Sequence, residues 1–346
     1  MHPLRRPRRH AAPGRNRGIA MNALSPGKAW GLRRLADDGG RFAMLAVDQR
    51  PPIMDLVRKV RGTAEAPFDD VATVKRLLTR HLAPEASAVL VDPVWGYDRC
   101  ISHVSPRQGL ILTLEDHAYR DTPEGRLSGS IAGWSADRIR RQGADAVKIL
   151  AWYRPDTPAS TRRHQEEWVA NVGRDCRAAD IALVFELLVY PRKLGGAPDY
   201  ADDPERRPEL VIDSVRTFAD ARFGVDLFKL ESPLPAASLP DPARASAAEV
   251  RVTQAWFDRL GQATAGRPWV MLSAGAQPEA FQRVLHYAYA AGASGYLAGR
   301  AIWWRAFQHF PDLAAFSQGL ETDGVRYMHQ LNALTRSAAR PWAQNP

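Results

Sequence analysis

Along the chain of 346 residues, short apolar runs of strand length alternate with longer segments whose apolar residues recur at helical spacing. Most of the apolar runs end in a charged or polar residue. Eight runs predict β-strands, over residues 42–47, 88–91, 110–114, 144–150, 181–189, 225–233, 269–272 and 295–298. The clearest helical segments are residues 71–82, 134–142, 165–179, 210–221, 247–262 and 278–291.

This alternation predicts an α/β fold with a parallel sheet, because the helix after each strand returns the chain to the start of the next strand. Eight such units in about 260 residues favour a single (β/α)8 TIM barrel. A doubly wound open sheet is the alternative, but no glycine-rich nucleotide-binding motif follows the first strand. We therefore predict one barrel domain over residues 35–346, with C-terminal helices.

Charge divides the chain into a basic amino-terminal stretch and a neutral body. The formal net charge is +9, and residues 1–34 contain nine basic and no acidic residues. The rest of the chain balances 38 basic against 38 acidic residues. Proline and glycine argue against an amphipathic helix in this stretch, so we expect residues 1–34 to be a basic, disordered extension, with Met21 as an alternative start. The stretch lacks interleaved aromatic residues and a nucleic-acid-binding fold, which disfavours nucleic acid as a partner.

Composition also bears on the compartment. No apolar run reaches 18 residues, so we expect no membrane-spanning segment. Cys100 and Cys176 belong to no C-x-x-C pair or disulfide framework, and two free thiols fit a reducing environment. We therefore expect a cytoplasmic protein without a membrane partner.

One lysine interrupts the apolar sequence of the sixth predicted strand, VDLFKLESP. Strand alternation places Lys229 on the same face as Leu227 and Glu231. Phe228 and Leu230 flank it, so its amine cannot easily reach bulk water. Burial and nearby cations lower the pKa of an amine, and a neutral amine can attack a ketone to form a Schiff base. The alternative is an exposed strand on which the lysine stem lies flat while its amine reaches solvent.

Other polar residues lie in or directly after the predicted strands. They are Asp48, Lys148, Glu186, Lys229, Ser273 and Arg300. In a barrel, polar residues at the carboxyl ends of the strands converge on one active site. Asp48 or Ser273 alone could be a helix cap, but charged residues inside apolar strands must be paired or used. Together they supply an amine nucleophile, a neighbouring cation and carboxylates for proton transfer, which indicates a Schiff-base lyase.

The sequence also predicts where an anionic substrate would bind. Ser273 and Gly275 follow the seventh predicted strand, and Gly299 and Arg300 follow the eighth. Backbone amides after these two strands form the usual phosphate site of a TIM barrel, and an arginine adds a fork of donors. Arg50 follows the first strand and could bind the far end of a substrate with two anions.

These residues lie in sequence stretches that resemble the class I tagatose-1,6-bisphosphate aldolases and the related sulfofructose-1-phosphate aldolases. The matching stretches run in family order from about Gly40 to Trp303. They are GRFAMLAVDQR, ASAVLVDPVWG, GLILTLE, GADAVKILAWY, LVFELLVY, RFGVDLFKLESP, PWVMLSAGA and GASGYLAGRAIW.

The resemblance implies a role for each candidate residue. Lys229 would form the Schiff base, Glu186 would transfer protons, and Asp48 would orient and deprotonate substrate hydroxyls. Lys148 would adjust the charge beside them. The groups implied for the 1-phosphate are Ser273, Gly275, Gly299 and Arg300. Gln49 and Arg50 are the groups implied for the distal anion.

The expected reaction is cleavage of a ketose 1,6-bisphosphate, D-tagatose 1,6-bisphosphate first, to dihydroxyacetone phosphate and glyceraldehyde 3-phosphate. The stretches resemble both families in part, which leaves open a 6-deoxy-6-sulfofructose 1-phosphate aldolase that releases sulfolactaldehyde. A sugar-phosphate-binding regulator without turnover is a further alternative. We expect no cofactor and no metal, because the histidines are scattered along the sequence. The expected partners are a small sugar phosphate and further copies of the chain in a homo-oligomer.

Overall fold

The computed structural model describes residues 24–191 and 205–344. Eight of its strands form the barrel: β1 Phe42–Ala46, β2 Ala88–Val91, β3 Gly109–Thr113, β6 Ala146–Trp152, β7 Ala182–Leu188, β8 Leu227–Leu230, β9 Trp269–Met271 and β10 Gly295–Ala298. The strands β4 Arg120–Thr122 and β5 Gly125–Leu127 form a separate antiparallel hairpin.

Twelve α-helices lie within the described residues. The first six are α1 Pro26–Leu35, α2 Pro51–Arg61, α3 Phe68–Leu82, α4 Tyr97–Cys100, α5 Ala136–Arg141 and α6 Ala159–Ala178. The others are α7 Arg207–Phe218, α8 Ala247–Ala263, α9 Pro278–Ala290, α10 Arg300–Phe307, α11 Leu313–Gly319 and α12 Val325–Ala338. In this part of the chain every helix is too short or too polar to cross a bilayer.

The eight barrel strands close into a ring, in the order β1-β2-β3-β6-β7-β8-β9-β10. All neighbours are parallel, and the pairing of Phe42 with Gly295 joins the first strand to the last. The predicted TIM barrel is confirmed, and the open sheet is wrong. Each predicted strand overlaps the observed one, because a parallel strand buried on both faces is a nearly continuous apolar run.

The core has two layers, one inside the barrel and one between the barrel and its helices. Along β8, Leu227 points into the barrel, whereas Phe228 and Leu230 pack outward against the helices. This alternation is the one predicted for the Lys229 strand. Cys100 and Cys176 are both buried free thiols, as predicted.

Helix α1 covers the amino-terminal end of the barrel. Its residues Leu32 and Leu35 are fully buried in the same cluster as the inward-facing side chains of the strands. Lys28 reaches Asp226, just before β8, and its Nζ lies 2.7 Å from the Asp226 Oδ2 atom. The helix is therefore part of the folded barrel.

This finding corrects the predicted boundary between an extension and the barrel. Residues 26–34 are helical and packed, so assigning the whole of 1–34 to a disordered extension is wrong; residues 1–23 lie outside the described part. The helix escaped prediction because it has few apolar residues and its cations have distant partners. Arg34, for example, pairs with Asp145, with 2.7 Å between Nε and Oδ1.

The β4–β5 hairpin is a second element that the sequence pattern did not predict. It lies between β3 and α5, in the connection that leaves the carboxyl end of the barrel. Its strands are three residues long and half-buried or exposed, so they carry no apolar run. Such a short hairpin depends on the surface against which it packs.

Candidate active site

The predicted nucleophile and its acid–base partner lie side by side on neighbouring strands. The register of β7 and β8 places Glu186 directly opposite Lys229. The Lys229 Nζ lies 2.8 Å from the Glu186 Oε2 atom, and both side chains are buried. Parallel pairing thus brings together two residues that are 43 positions apart.

Lys148 connects this pair to two further carboxylates. Its Nζ lies 2.7 Å from Glu186 Oε2, 2.9 Å from Asp48 Oδ2 and 2.8 Å from Glu115 Oε1. Lys148 is 1% exposed, so its charge is neutralised by these contacts and not by water. The four predicted catalytic residues Asp48, Lys148, Glu186 and Lys229 therefore form one buried charge cluster.

Glu115 belongs to this cluster, although no role for it is predicted from the sequence. It follows β3 closely, as Asp48 follows β1, so a carboxylate just after a buried strand was the signal available. Its backbone carbonyl and its Oε1 atom accept hydrogen bonds from the two terminal amino groups of Arg50, each at 2.9 Å. Thr113 donates a further hydrogen bond to the Oε2 atom.

The charges in the cluster shift the pKa values of its members. Burial alone would raise the pKa of Asp48, but Lys148, Lys229 and Arg50 outweigh it and hold that pKa well below its usual range. The pKa of Glu186 is lowered in the same way by Lys148 and Lys229, against the effect of burial. Burial would lower the pKa of Lys148, but its three carboxylate neighbours raise it. Lys148 therefore stays protonated, and Asp48 and Glu186 stay ionised at neutral pH.

Two acceptor atoms in the site have no hydrogen-bond partner among the described residues. They are Asp48 Oδ1 and Gln49 Oε1, both buried. Buried acceptors normally find a donor, since an unsatisfied one costs about 1–3 kcal/mol. A ligand rich in hydroxyl groups would supply such donors.

The loops after β9 and β10 meet at the corner where the sequence predicted an anion site. A Cβ atom at Gly275 would lie 3.2 Å from the Arg300 Cζ atom, and Gly275 has a left-handed backbone with φ of 78°. A Cβ atom at Gly299 would lie 2.4 Å from the Ala46 carbonyl oxygen. The left-handed backbone therefore favours glycine at position 275, and the approach of the Ala46 carbonyl oxygen requires glycine at position 299. Ser273, in the same β9 loop, is buried.

This corner presents unused donors. Within the described residues the Arg300 side chain has no hydrogen-bond or ion-pair partner, and the backbone N–H groups of Gly275 and Gly299 are likewise unbonded. Gly299 also caps the start of α10, where the helix dipole favours an anion. The arrangement can hold a phosphate.

Gln49 and Arg50, the two residues expected at the distal anion, lie close to Gly299 and to Glu115, respectively. Gln49 lies at this same corner, since its Nε2 atom would be 2.9 Å from a Cβ atom on Gly299. Arg50 is 5% exposed and has both terminal amino groups on Glu115. A distal-anion role for Arg50 would require this pair to open. No group of three or more His, Cys, Asp or Glu side chains in the described residues is arranged to hold a metal ion.

The chain is similar to known aldolases over most of its length. A model of the DeoC/LacD family aldolases matches residues 42–305. Tagatose 1,6-diphosphate aldolase 1 of Streptococcus mutans is 30% identical over 319 residues, 90% of this chain and 97% of the relative. The tagatose 1,6-diphosphate aldolase of Listeria innocua is 32% identical over 328 residues, 93% of this chain and 95% of the relative.

Solved structures share the fold. An archaeal fructose 1,6-bisphosphate aldolase superposes with a TM-score of 0.57 at 17% identity, over 89% of this chain and 98% of the other. The fructose-bisphosphate aldolase of Plasmodium falciparum gives a TM-score of 0.62 at 14% identity, over 93% and 99%. The match over most of the barrel shows that the chain is a lyase and belongs to the DeoC/LacD family of aldolases.

Proposed function

We propose that the protein is a class I aldolase that cleaves a ketose 1,6-bisphosphate through a Schiff base on Lys229. The observation that carries the proposal is the buried contact of 2.8 Å between Lys229 Nζ and Glu186 Oε2, inside a cluster where Lys148 supplies a permanent cation. A nucleophilic amine needs a group that takes its proton, and Glu186 is within hydrogen-bond reach.

The first half of the reaction forms the Schiff base. Lys229 passes a proton to Glu186, and its neutral Nζ attacks the C2 carbonyl carbon of the substrate to give a carbinolamine. The carbinolamine loses its hydroxyl group as water after protonation, which leaves an iminium ion at C2. Lys148 remains protonated and stabilises the carboxylates around the reacting centre.

The second half breaks the carbon–carbon bond. A carboxylate takes the proton of the C4 hydroxyl group, the C3–C4 bond breaks, and its electron pair moves into the iminium to form an enamine. The aldehyde product leaves. Protonation of C3 and hydrolysis of the iminium then release dihydroxyacetone phosphate. Asp48 stays ionised, and its unpartnered Oδ1 atom is an acceptor for a substrate hydroxyl group.

The corner after β9 and β10 would bind the 1-phosphate. Arg300 provides the charge, the N–H groups of Gly275 and Gly299 provide directed donors, and the Ser273 hydroxyl group lies in the same turn. A phosphate there would sit beside β8, which carries Lys229, because β8 pairs with β9. C2 of the bound ketose would then lie within reach of the amine.

We take D-tagatose 1,6-bisphosphate as the first candidate substrate, because the similar relatives are named for it. Its cleavage gives dihydroxyacetone phosphate and glyceraldehyde 3-phosphate. 6-Deoxy-6-sulfofructose 1-phosphate is the second candidate, supported by the stretches FAMLAVDQR, PWVMLS and GASGYLAGRAIW. A sulfonate and a phosphate are both tetrahedral oxyanions, so the residues described here would accept either.

The test is an aldol-cleavage assay with tagatose bisphosphate, fructose bisphosphate and sulfofructose phosphate in parallel, each with and without a chelator. We expect the highest kcat/KM with tagatose bisphosphate and no effect of the chelator. Lys229→Met is the inactive control. Failure to cleave any of the three, or activity that is lost to the chelator and restored by zinc, would contradict the proposal.

A further inference from the structure

We propose that Arg126, on the β4–β5 hairpin, binds the distal anion of the substrate and so determines specificity for ketoses with two anions. The inference rests on the proposed aldolase function, which it deepens. It assigns to the hairpin a function beyond that of a surface connection.

The side chain of Arg126 lies in a cage of three aromatic rings. Its guanidinium carbon is 4.4 Å from the ring centroid of Tyr119, 4.6 Å from that of Trp152 and 5.3 Å from that of Tyr190. Its Nε atom lies 3.1 Å from the Asp121 Oδ1 atom. Such stacking fixes the plane of an arginine without using its terminal amino groups.

Those terminal amino groups have no partner in the part of the chain that the structure describes. The Arg126 side chain is 18% exposed, so part of it is reachable from solvent. The aromatic rings thus fix the guanidinium group of Arg126, while its terminal amino groups have no partner among the described residues. This combination suits a bidentate contact with a phosphate or sulfonate.

The cage stands over the inward face of the barrel. In β6, Leu150 and Trp152 are half-buried, whereas the residues between and before them are buried. Strand alternation puts both on the same face as Lys148, which points into the active site. Trp152 is four residues beyond Lys148, or about 13 Å along the strand. The Arg126 cation therefore lies at the mouth above the charge cluster.

The ring order sets the direction in which a substrate must extend. Going round the barrel, β6 lies opposite β10, and β3, from which the hairpin chain leaves, lies opposite β9. A ketose with its 1-phosphate at Arg300 and its C2 on Lys229 extends its remaining carbons away from β9 and β10. From C2 to the phosphorus of a phosphate group on C6 there are six bonds, about 8 Å when extended. The far anion therefore points to the side of the mouth where Arg126 lies.

Arg50 is a weaker candidate on the same reasoning. It follows β1, which pairs with β10, so it lies next to the Arg300 side and not opposite to it. Both of its terminal amino groups are already bound to Glu115. Arg126 has the opposite position and the free donors.

The hairpin has anchors that do not involve the Arg126 side chain, so a substitution there should leave it folded. The backbone N–H of residue 126 donates to the Tyr190 hydroxyl oxygen at 3.1 Å. Ser160, in α6, donates to the Glu124 carboxylate at 2.6 Å, and Gln165 accepts from the Ser128 N–H at 2.8 Å.

The experiment measures kcat and KM for Arg126→Gln and Arg126→Lys on a ketose 1,6-bisphosphate that the wild type cleaves and on the matching ketose 1-phosphate. Arg120→Gln is the control, because Arg120 is exposed on the same hairpin and points to the opposite face. We expect Arg126→Gln to raise KM about 10- to 100-fold for the bisphosphate only, and Arg126→Lys to recover part of the loss. The control should match the wild type on both substrates.

Equal losses on the two substrates, or no change in KM for the bisphosphate, would overturn the assignment and leave Arg126 as a structural clamp. A wild type that shows no preference for the second anion would overturn it as well. A wild type that cleaves neither substrate would instead contradict the proposed function. The outcomes for the two proposals are therefore distinct.

Discussion

At the scale of single residues, the site is a cluster of alternating positive and negative charges, and its two lysines contact different numbers of carboxylates. Lys148 contacts three carboxylates and keeps its proton, whereas the cluster gives Lys229 one carboxylate, Glu186. The sequence identified both lysines because a cation within an apolar strand is conspicuous. It did not identify Glu115, since one carboxylate after a strand also fits a helix cap. Only the contact with Lys148 distinguishes the two.

The first prediction at this scale concerns Arg300. Replacing it with glutamine should lower kcat/KM about 10- to 100-fold for every ketose 1-phosphate and 1,6-bisphosphate, because all of them carry the anion that we assign to it. Arg305→Gln, an exposed change on the same helix, is the matched control. Steady-state kinetics with both substrate types would check this. A loss confined to bisphosphates would place Arg300 at the distal anion instead.

At the scale of elements, the parts that the sequence did not predict are those held by distant partners. Helix α1 has a weak apolar face, and its first turn is bound by a residue that lies just after α6. Asp180 accepts hydrogen bonds from the Ser25 hydroxyl group and, at 3.1 Å, from the Gly27 N–H. It therefore caps a helix from more than 150 residues away. No local pattern carries that information, just as none marks the rings against which Arg126 stacks.

Asp180 provides a pH-dependent prediction for the stability of this element. The hydrogen bond from Ser25, with those from the amides of Gly27 and Lys28, lowers its pKa from the usual 3.8. A carboxyl whose pKa is lower in the folded state stabilises the fold above the unfolded pKa, and this contribution is lost as the pH falls through the folded pKa. Asp180→Asn should cost only about 0.3–0.5 kcal/mol at pH 7, because solvent screens this exposed carboxylate.

Asparagine tolerates the left-handed backbone of residue 180, where φ is 49°, so the exchange tests the charge. Urea unfolding of the wild type and Asp180→Asn should give curves that converge as the pH falls below about 4. Asp175→Ala, an exposed change in α6, should leave stability unchanged at every pH. A difference for Asp180→Asn that stays the same as the pH falls from 7 to about 2.5, well below the usual pKa of 3.8, would argue against the capping charge.

At the scale of the whole molecule, the barrel could be predicted because its eight units repeat one local pattern. Each strand is a mostly apolar run, and a helical segment lies between nearly all of the strands, so the pattern along the chain is sufficient. The partners across the ring could not be predicted in the same way. The closure of β10 onto β1 brings Gln49 to the corner between the β9 and β10 loops and shows that Arg50 and Arg300 follow adjacent strands. Because Arg50 lies beside Arg300 and not opposite to it, we infer that the distal anion binds at the hairpin instead.

Covalent trapping would show whether Lys229 forms the Schiff base. Borohydride added with dihydroxyacetone phosphate should reduce the iminium and leave a stable adduct, which peptide mass spectrometry locates. In the wild type we expect the adduct on the peptide that contains Lys229. Lys229→Met should form no adduct, and any adduct in Lys148→Met should again be on the Lys229 peptide. An adduct on Lys148, or full aldolase activity in Lys229→Met, would contradict the account.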